Sequence, residues 1–509
     1  MTSNILPWKD ELGNVAYDRA DKYFFSSNGF RGPTERRALG ASALFGVSEK
    51  WFVSDPYPTR SPRFLFCNWY LGTGNAGNQE VVNGNAVTIE GVSISIAGAA
   101  PIQLTFGGAN SIVQEDDSED WTDANDIIIP ANTLCCVRTA WAIANSALYI
   151  SAPANGLSPM FKDKAEYSGS ATLAAKVMAG GISATVPTGA LVYALMPHAM
   201  VAKGNDGRPV GLIVGTSIAQ GVGQSRFMRS KLGELGPAGL GMTSTFGGAQ
   251  RYPAANFAVS GGYAAGITAK ATGLAKRFRA FAQLPNLPFT FLYSDFGTND
   301  QNATAATWKA ALAACFAAFK ETWPTVRVIQ QTMLSRVAST DAMTTVANQT
   351  LATNWAYPAG SYWTIHSWFL SLCDGLIDAV IDIQDTLDNV PGGGVRGKWR
   401  VDILDGWATT LTAIANVGAA SVTLAAQPRP GAILAFLGGT AEGVIASYPY
   451  ASTASPFTVP LLAVTAQSHA SASAVQEGVS PDGVHPGDRM SNYIADRKIA
   501  AEKLAGTFG

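Results

Sequence analysis

Charge is scarce in this chain, and so are histidine and cysteine. Only 14% of its 509 residues are Asp, Glu, Lys or Arg, and the formal net charge is -2. A balance this close to neutral offers no stripe of cations for a nucleic acid or an anionic membrane surface. No stretch approaches about eighteen uninterrupted apolar residues, so no membrane-spanning helix is expected. The four histidines show no zinc-type spacing with cysteine, and neither a metal nor a cofactor is expected. The five cysteines make no disulfide framework. Cys135 and Cys136 are adjacent, and Cys67, Cys315 and Cys373 stand alone in apolar surroundings, which predicts buried free thiols. The N-terminus, Met1-Thr2-Ser3-Asn4-Ile5-Leu6-Pro7, has no basic stretch followed by an apolar run, so a Sec-type signal peptide is not expected.

What the chain does have is apolar material, at 47% of residues, and length for two to four domains. Residues 1–60 are aromatic and polar without a clear period and stay unassigned. Residues 61–204 read as a β-rich accessory domain. Val87 to Ile96 alternates with period two, and Gln103 to Phe106, Ile127 to Ile129 and Val137 to Trp141 look like further short strands between Gly, Asn and Pro turns, as in a β-sandwich or jelly roll. From about Val210 strands alternate with helices. Phe289 to Tyr293 and Val326 to Gln330 are apolar runs of strand length, and Ala303 to Trp323 between them has helical spacing. Another helix is expected from about Gly262 to Leu284, and Ala379 to Ile383 is a plausible fifth strand. The fold class expected is α/β, a parallel sheet covered by helices on both faces. Pro391-Gly392-Gly393-Gly394 looks like a break, residues 397–475 return to a β pattern as an inserted small subdomain, and Ser491 to Leu504 closes the chain as a helix.

Four segments carry chemistry. Ser217 follows the apolar run Gly211-Leu212-Ile213-Val214 in Gly215-Thr216-Ser217, where a strand would turn into a helix. Asn256-Phe257-Ala258-Val259-Ser260-Gly261 and Phe296-Gly297-Thr298-Asn299-Asp300 come next, and Ser480-Pro481-Asp482-Gly483-Val484-His485-Pro486 lies far downstream. A serine nucleophile needs a base and the base needs an orienting acid; Asp482 and His485, three residues apart, can face each other within one turn. The remaining histidines, His198, His366 and His469, lack an acid so placed, and His366 among Trp363, Trp368 and Phe369 reads as a core residue. In order and content the four segments resemble the four sequence blocks of the SGNH (GDSL-like) hydrolase superfamily, over residues 205–396 and 476–509. The resemblance implies a three-layer α/β/α fold with a flavodoxin-like parallel sheet. It also implies the roles: Ser217 as nucleophile, His485 as base, Asp482 as its orienter, and Ser217 N–H, Gly261 N–H and the Asn299 amide as an oxyanion hole. Gly215-Thr216-Ser217 departs from the family's Gly-Asp-Ser, so the usual acidic neighbour of the nucleophile is missing.

Function follows as an expectation: a serine ester hydrolase working through an acyl-enzyme, on an acylated small molecule or polysaccharide. The flanking β units suit recognition of a polymer, which makes an O-acetylesterase acting on a carbohydrate the leading reading. A phage-particle or tail-associated enzyme fits the β units and the missing signal. Two alternatives stand beside it. One is a lipase or general short-chain esterase; the other is a non-catalytic glycan-binding structural protein of a phage particle with a degenerate hydrolase domain.

Overall fold

The structure is a computed structural model that describes residues 19, 21–72, 80–153, 163–182, 193–222, 224, 236–268, 275–301, 304–388, 396–403, 407–428, 432–437, 442–446, 455–461, 465–482 and 484–509. The Pro391–Gly394 break lies outside the described residues. Among those described, no helix is long and apolar enough to cross a membrane, and all five cysteines are free and buried.

Short apolar strands with helices between them give one parallel sheet. Strands β1 (Gly211–Val214), β2 (Ala254–Asn256), β3 (Phe291–Ser294), β4 (Arg327–Gln331) and β5 (Ala379–Ile381) lie in the order β2-β1-β3-β4-β5. This is the flavodoxin-like order, whose switch point lies between β1 and β3. Successive strand residues point to opposite faces. Leu212, Val214, Leu292 and Val328 enter one core, and Ile213, Phe291, Tyr293 and Ile329 enter the other. Helices α1 (Ser217–Gln220) and α2 (Gly236–Thr243) cover the second face with Ile218, Ala238 and Met242. Helices α3 (Lys276–Ala282), α4 (Ala305–Thr322) and α5 (Ser361–Leu370) cover the first with Phe278, Leu312, Phe316 and Ile365. The closing helix α6 (Asp488–Ile494), continued through a π turn to Leu504, adds Met490, Ile494 and Ile499 to the second face. Three layers result, as the resemblance implied.

The local sequence explains the main elements. Thr304 caps α4 by accepting from Thr307 N–H at 3.2 Å. Trp308, Leu312, Cys315, Phe316 and Phe319 then form one buried stripe at helical spacing. The helix expected from Gly262 to Leu284 is not continuous: Ala265–Thr268 is a single turn, and α3 begins only at Lys276.

Ahead of the parallel sheet lie, among the described residues, two large antiparallel sheets, one of five strands (the longest Thr59–Cys67) and one of six (the longest Val87–Ile96), with two two-stranded sheets beside them. Alternate residues of the five-stranded sheet face opposite ways. Phe64, Phe66, Met200 and Ala202 share a core with Val92, Ile94 and Val137 of the six-stranded sheet. Leu65, Cys67, Ala199 and Val201 pack into the first core of the parallel sheet. A second connection runs along the chain itself, where Arg31 bridges in parallel to Asn256 at the β2 edge. Between β5 and α6, strands β6 (Ala408–Thr410), β7 (Ser421–Leu424), β8 (Ile433–Leu437), β9 (Glu442–Ile445), β10 (Phe457–Pro460) and β11 (Ala474–Gly478) form a sheet β6-β11-β8-β9 and a pair β7-β10. They surround a small core of their own, including Leu411, Val422, Leu434, Phe436, Val459 and Val475.

Candidate active site

In an open parallel sheet, ligands bind outside the carboxyl ends of the strands, at the switch point. Ser217 stands there, as the first residue of α1 directly after β1. Gly215 makes the turn with φ 142°, and Thr216 caps α1 through Oγ1, which accepts from Ile218 N–H at 3.3 Å. At the first helical position, Ser217 N–H has no acceptor among the described residues, as expected of a helix N-terminus.

The partner of Ser217 arrives from the other end of the chain. His485 Nε2 is 2.8 Å from Ser217 Oγ, and His485 Nδ1 is 2.6 Å from Asp482 Oδ2. The other Asp482 oxygen accepts from the N–H groups of Val484 and His485, at 2.9 Å each. Ser480 Oγ donates to the His485 carbonyl at 2.7 Å and closes the loop on itself. Burial works to raise the Asp482 carboxyl, but the His485 imidazole and the two N–H donors outweigh it and hold the group below its usual range. An ionised Asp482 can only accept, so His485 Nδ1 carries the proton and Nε2 is left to accept from Ser217 Oγ–H. The His485 side chain is 18% exposed and that of Asp482 47% exposed, so the site opens at the surface.

Two more loops close around the serine. Val259 N–H donates to the Gly215 carbonyl at 3.1 Å, which ties the turn after β2 to the turn that carries Ser217. Gly261 lies in that turn with φ 72°, a left-handed conformation that favours glycine. Asn299 follows β3, and its Nδ2 donates to the Gly262 carbonyl at 3.1 Å. Asp300 fixes the same pair of loops by accepting from Ala264 N–H at 2.9 Å; burial pushes its carboxyl up to about 6. The structure thus links Ser217, Asp482 and His485 in one hydrogen-bonded chain and brings the loops of Gly261 and Asn299 beside it. Strand β2 ends at Asn256, before Ala258-Val259. There the side chain leaves the ladder pattern, donating to the Ala219 carbonyl and accepting from Ala258 N–H.

Two neighbours of the site were not expected from sequence. Arg336 donates through Nη2 to the Thr298 carbonyl at 3.0 Å and lies 3.5 Å from Asn299 Oδ1, on the side of the amide away from its donor. Nothing in the local sequence marks this arginine. Asp295 sits beneath the turn that carries Ser217, and its one signal is an acid directly after a strand. His366 is buried and bound to Asp382, 3.0 Å away, outside the site. No group of three or more His, Cys, Asp or Glu side chains converges as metal ligands would among the described residues.

No protein-family model matches the sequence, and no curated protein matches it. Among solved structures, the chain is similar to a carbohydrate esterase family 2 enzyme with a carbohydrate-binding domain from Corynascus thermopiles (Myceliophthora fergusii). That likeness has 13% identity and a TM-score of 0.25, over 72% of this chain and 90% of the other. A family two carbohydrate esterase from Cellvibrio japonicus gives 10% identity and a TM-score of 0.25, over 75% and 92%. A peptidoglycan O-acetylesterase gives 9% and 0.27, over 73% and 72%. Likenesses this remote do not bear on activity or substrate; the chemistry of the site does.

Proposed function

We propose that this protein is a serine ester hydrolase working through an acyl-enzyme. The observation that carries the reading is the unbroken chain Asp482–His485–Ser217, with contacts of 2.6 and 2.8 Å. Ser217 Oγ attacks the ester carbonyl while its proton passes to His485 Nε2, and Asp482 steadies the imidazolium that forms. The carbonyl oxygen becomes an oxyanion, and three donors answer it: Ser217 N–H, Gly261 N–H and the Asn299 amide hydrogen not engaged with Gly262. Collapse of the intermediate breaks the C–O bond to the alcohol, which leaves with the proton from His485. Water, deprotonated by His485, then attacks the acyl-serine and releases the acid. For substrate we propose an O-acetylated carbohydrate: two β units pack against the catalytic unit, and a polymer needs surface beyond the reacting centre.

The test is Ser217→Ala together with fluorophosphonate labelling. Hydrolysis of p-nitrophenyl acetate and of acetylated xylan is expected to vanish in the variant, with its circular dichroism unchanged, and the label is expected on Ser217 alone. A label mapped to another serine, or wild-type turnover in the variant, refutes the reading. A wild-type protein that cleaves p-nitrophenyl esters but no acetylated polysaccharide refutes only the choice of substrate.

A further inference from the structure

The nucleophile's turn has threonine where an acid would be expected, and the structure shows what faces that threonine. β1 and β3 are neighbours with Val214 opposite Ser294, so the residue after β3, Asp295, comes to lie beside Gly215. Its carboxylate is buried and takes three hydrogen bonds from the turn. Thr216 N–H donates to Oδ1, and Thr216 Oγ1 and Ala219 N–H donate to Oδ2 at 3.0 and 2.8 Å. One side chain thereby holds the residue before Ser217 and the residue two after it. The approach is so close that a Cβ at Gly215 would stand 1.6 Å from Asp295 Oδ1, which leaves room there for glycine alone. No cation pairs with Asp295 among the described residues, and burial pushes the carboxyl up to about 6 in spite of its three donors. A buried acid costs stability when it lacks a cation, and such groups concentrate where function demands them.

We propose that Asp295 is a positioning residue for Ser217: a carboxylate supplied by the neighbouring strand sets the nucleophile's turn through Thr216 and Ala219, in place of an acid on the turn itself. The inference rests on the reading of Ser217 as nucleophile. Asp295 reaches no substrate and acts only through the geometry it imposes on Ser217 Oγ and N–H.

Asp295→Asn keeps the shape but, whichever way the amide turns, sets its NH2 against the N–H of Thr216 or Ala219. Its kcat on p-nitrophenyl acetate is expected to fall on the order of 10²-fold, the scale of an ångström-sized misplacement, with KM changed far less. Fluorophosphonate modification of Ser217 should slow in step. Thr216→Val removes the hydroxyl's bond to Asp295 together with its cap on Ile218 N–H, with little change of volume, and is expected to lower kcat by about tenfold. Thr216→Ser should restore it, and the loss in the double variant Asp295→Asn/Thr216→Val should fall well short of the product of the two single losses. Where Asp295→Asn does not fold, the Val and Ser variants decide. Wild-type kcat in Thr216→Val or Asp295→Asn, or losses that multiply in the double variant, overturns the proposal. A wild-type protein without esterase activity or label overturns the reading of Ser217 itself, and the two failures are distinct.

Discussion

Asn299 has two amide hydrogens, and its bond to the Gly262 carbonyl uses one of them. Arg336 on the Oδ1 side keeps the amide from being turned over, since its Nη2 faces an oxygen there and would oppose an NH2. The second hydrogen is the one we assign to the oxyanion. Asn299→Ala is therefore expected to lower kcat by on the order of 10²–10³, the usual cost of one oxyanion donor, with KM moving much less. Unchanged kcat with a raised KM would make Asn299 a binding or turn residue. What is legible at this scale is proximity: Ser217, Asp482 and His485, marked by short motifs, lie in one hydrogen-bonded chain, and Asn299 stands on a neighbouring loop. Asp295 and Arg336 were not legible, because what matters about each is a contact across strands or loops. Asp295 reaches a turn that precedes it by 79 positions, and Arg336 reaches a carbonyl 38 positions away.

Between elements, the tightest constraint is backbone against backbone. A Cβ on Gly262 would lie 2.2 Å from the Gly215 carbonyl oxygen, and no side chain stands between the two turns to give way. Gly262→Ala must therefore push apart the turn after β2 and the turn that carries Ser217. We expect a fall in kcat of about 10²-fold together with a lower melting temperature. A Gly262→Ala protein with wild-type turnover would show that these turns tolerate separation, and the oxyanion assignment of the β2 loop would lose its geometric basis. The adjacent glycines at 261 and 262 serve different ends: Gly261 supplies a left-handed φ, Gly262 supplies space. Element type was readable wherever apolar spacing ran unbroken, as in α4. It failed in residues 1–60, where Phe45–Val53 turns out to be a long strand. There Glu49 and Lys50 are buried against Arg138 and Asp163, at 2.8 and 3.2 Å. Buried ion pairs put charge on faces that the alternation rule reserves for apolar residues.

Across the whole molecule, Ser217 and His485 are braced by different parts of the chain. Arg31, from the N-terminal region, donates to the Gln220 carbonyl at 2.7 Å and so holds the end of the helix that Ser217 begins. The base is braced from the inserted strands. β11 pairs with β6 and β8, and the chain passes from its last residue, Gly478, through buried Val479 to the loop of Asp482 and His485. Ile433 of β8 packs there so closely that a Cβ on Gly487 would lie 2.3 Å from its Cδ1. The central strand of the inserted sheet thus leads directly into the loop that carries Asp482 and His485, and on the proposed function the insertion would position that loop. Excising residues 408–473 behind a short Gly/Ser linker leaves β11 without partners. We expect hydrolysis of p-nitrophenyl acetate to fall together with deacetylation of polymer, while the parallel-sheet unit stays folded. Ile433→Ala makes the same point with the insertion in place. It opens a cavity at the contact, lowers stability by about 2–5 kcal/mol, and is expected to slow small-ester hydrolysis by displacing His485 from Ser217. A folded deletion variant that cleaves p-nitrophenyl acetate at the wild-type rate but leaves acetylated polymer intact would reverse the assignment. The insertion would then hold the substrate rather than the base, and the loop from Ser480 to Pro486 would owe its geometry to its own hydrogen bonds alone.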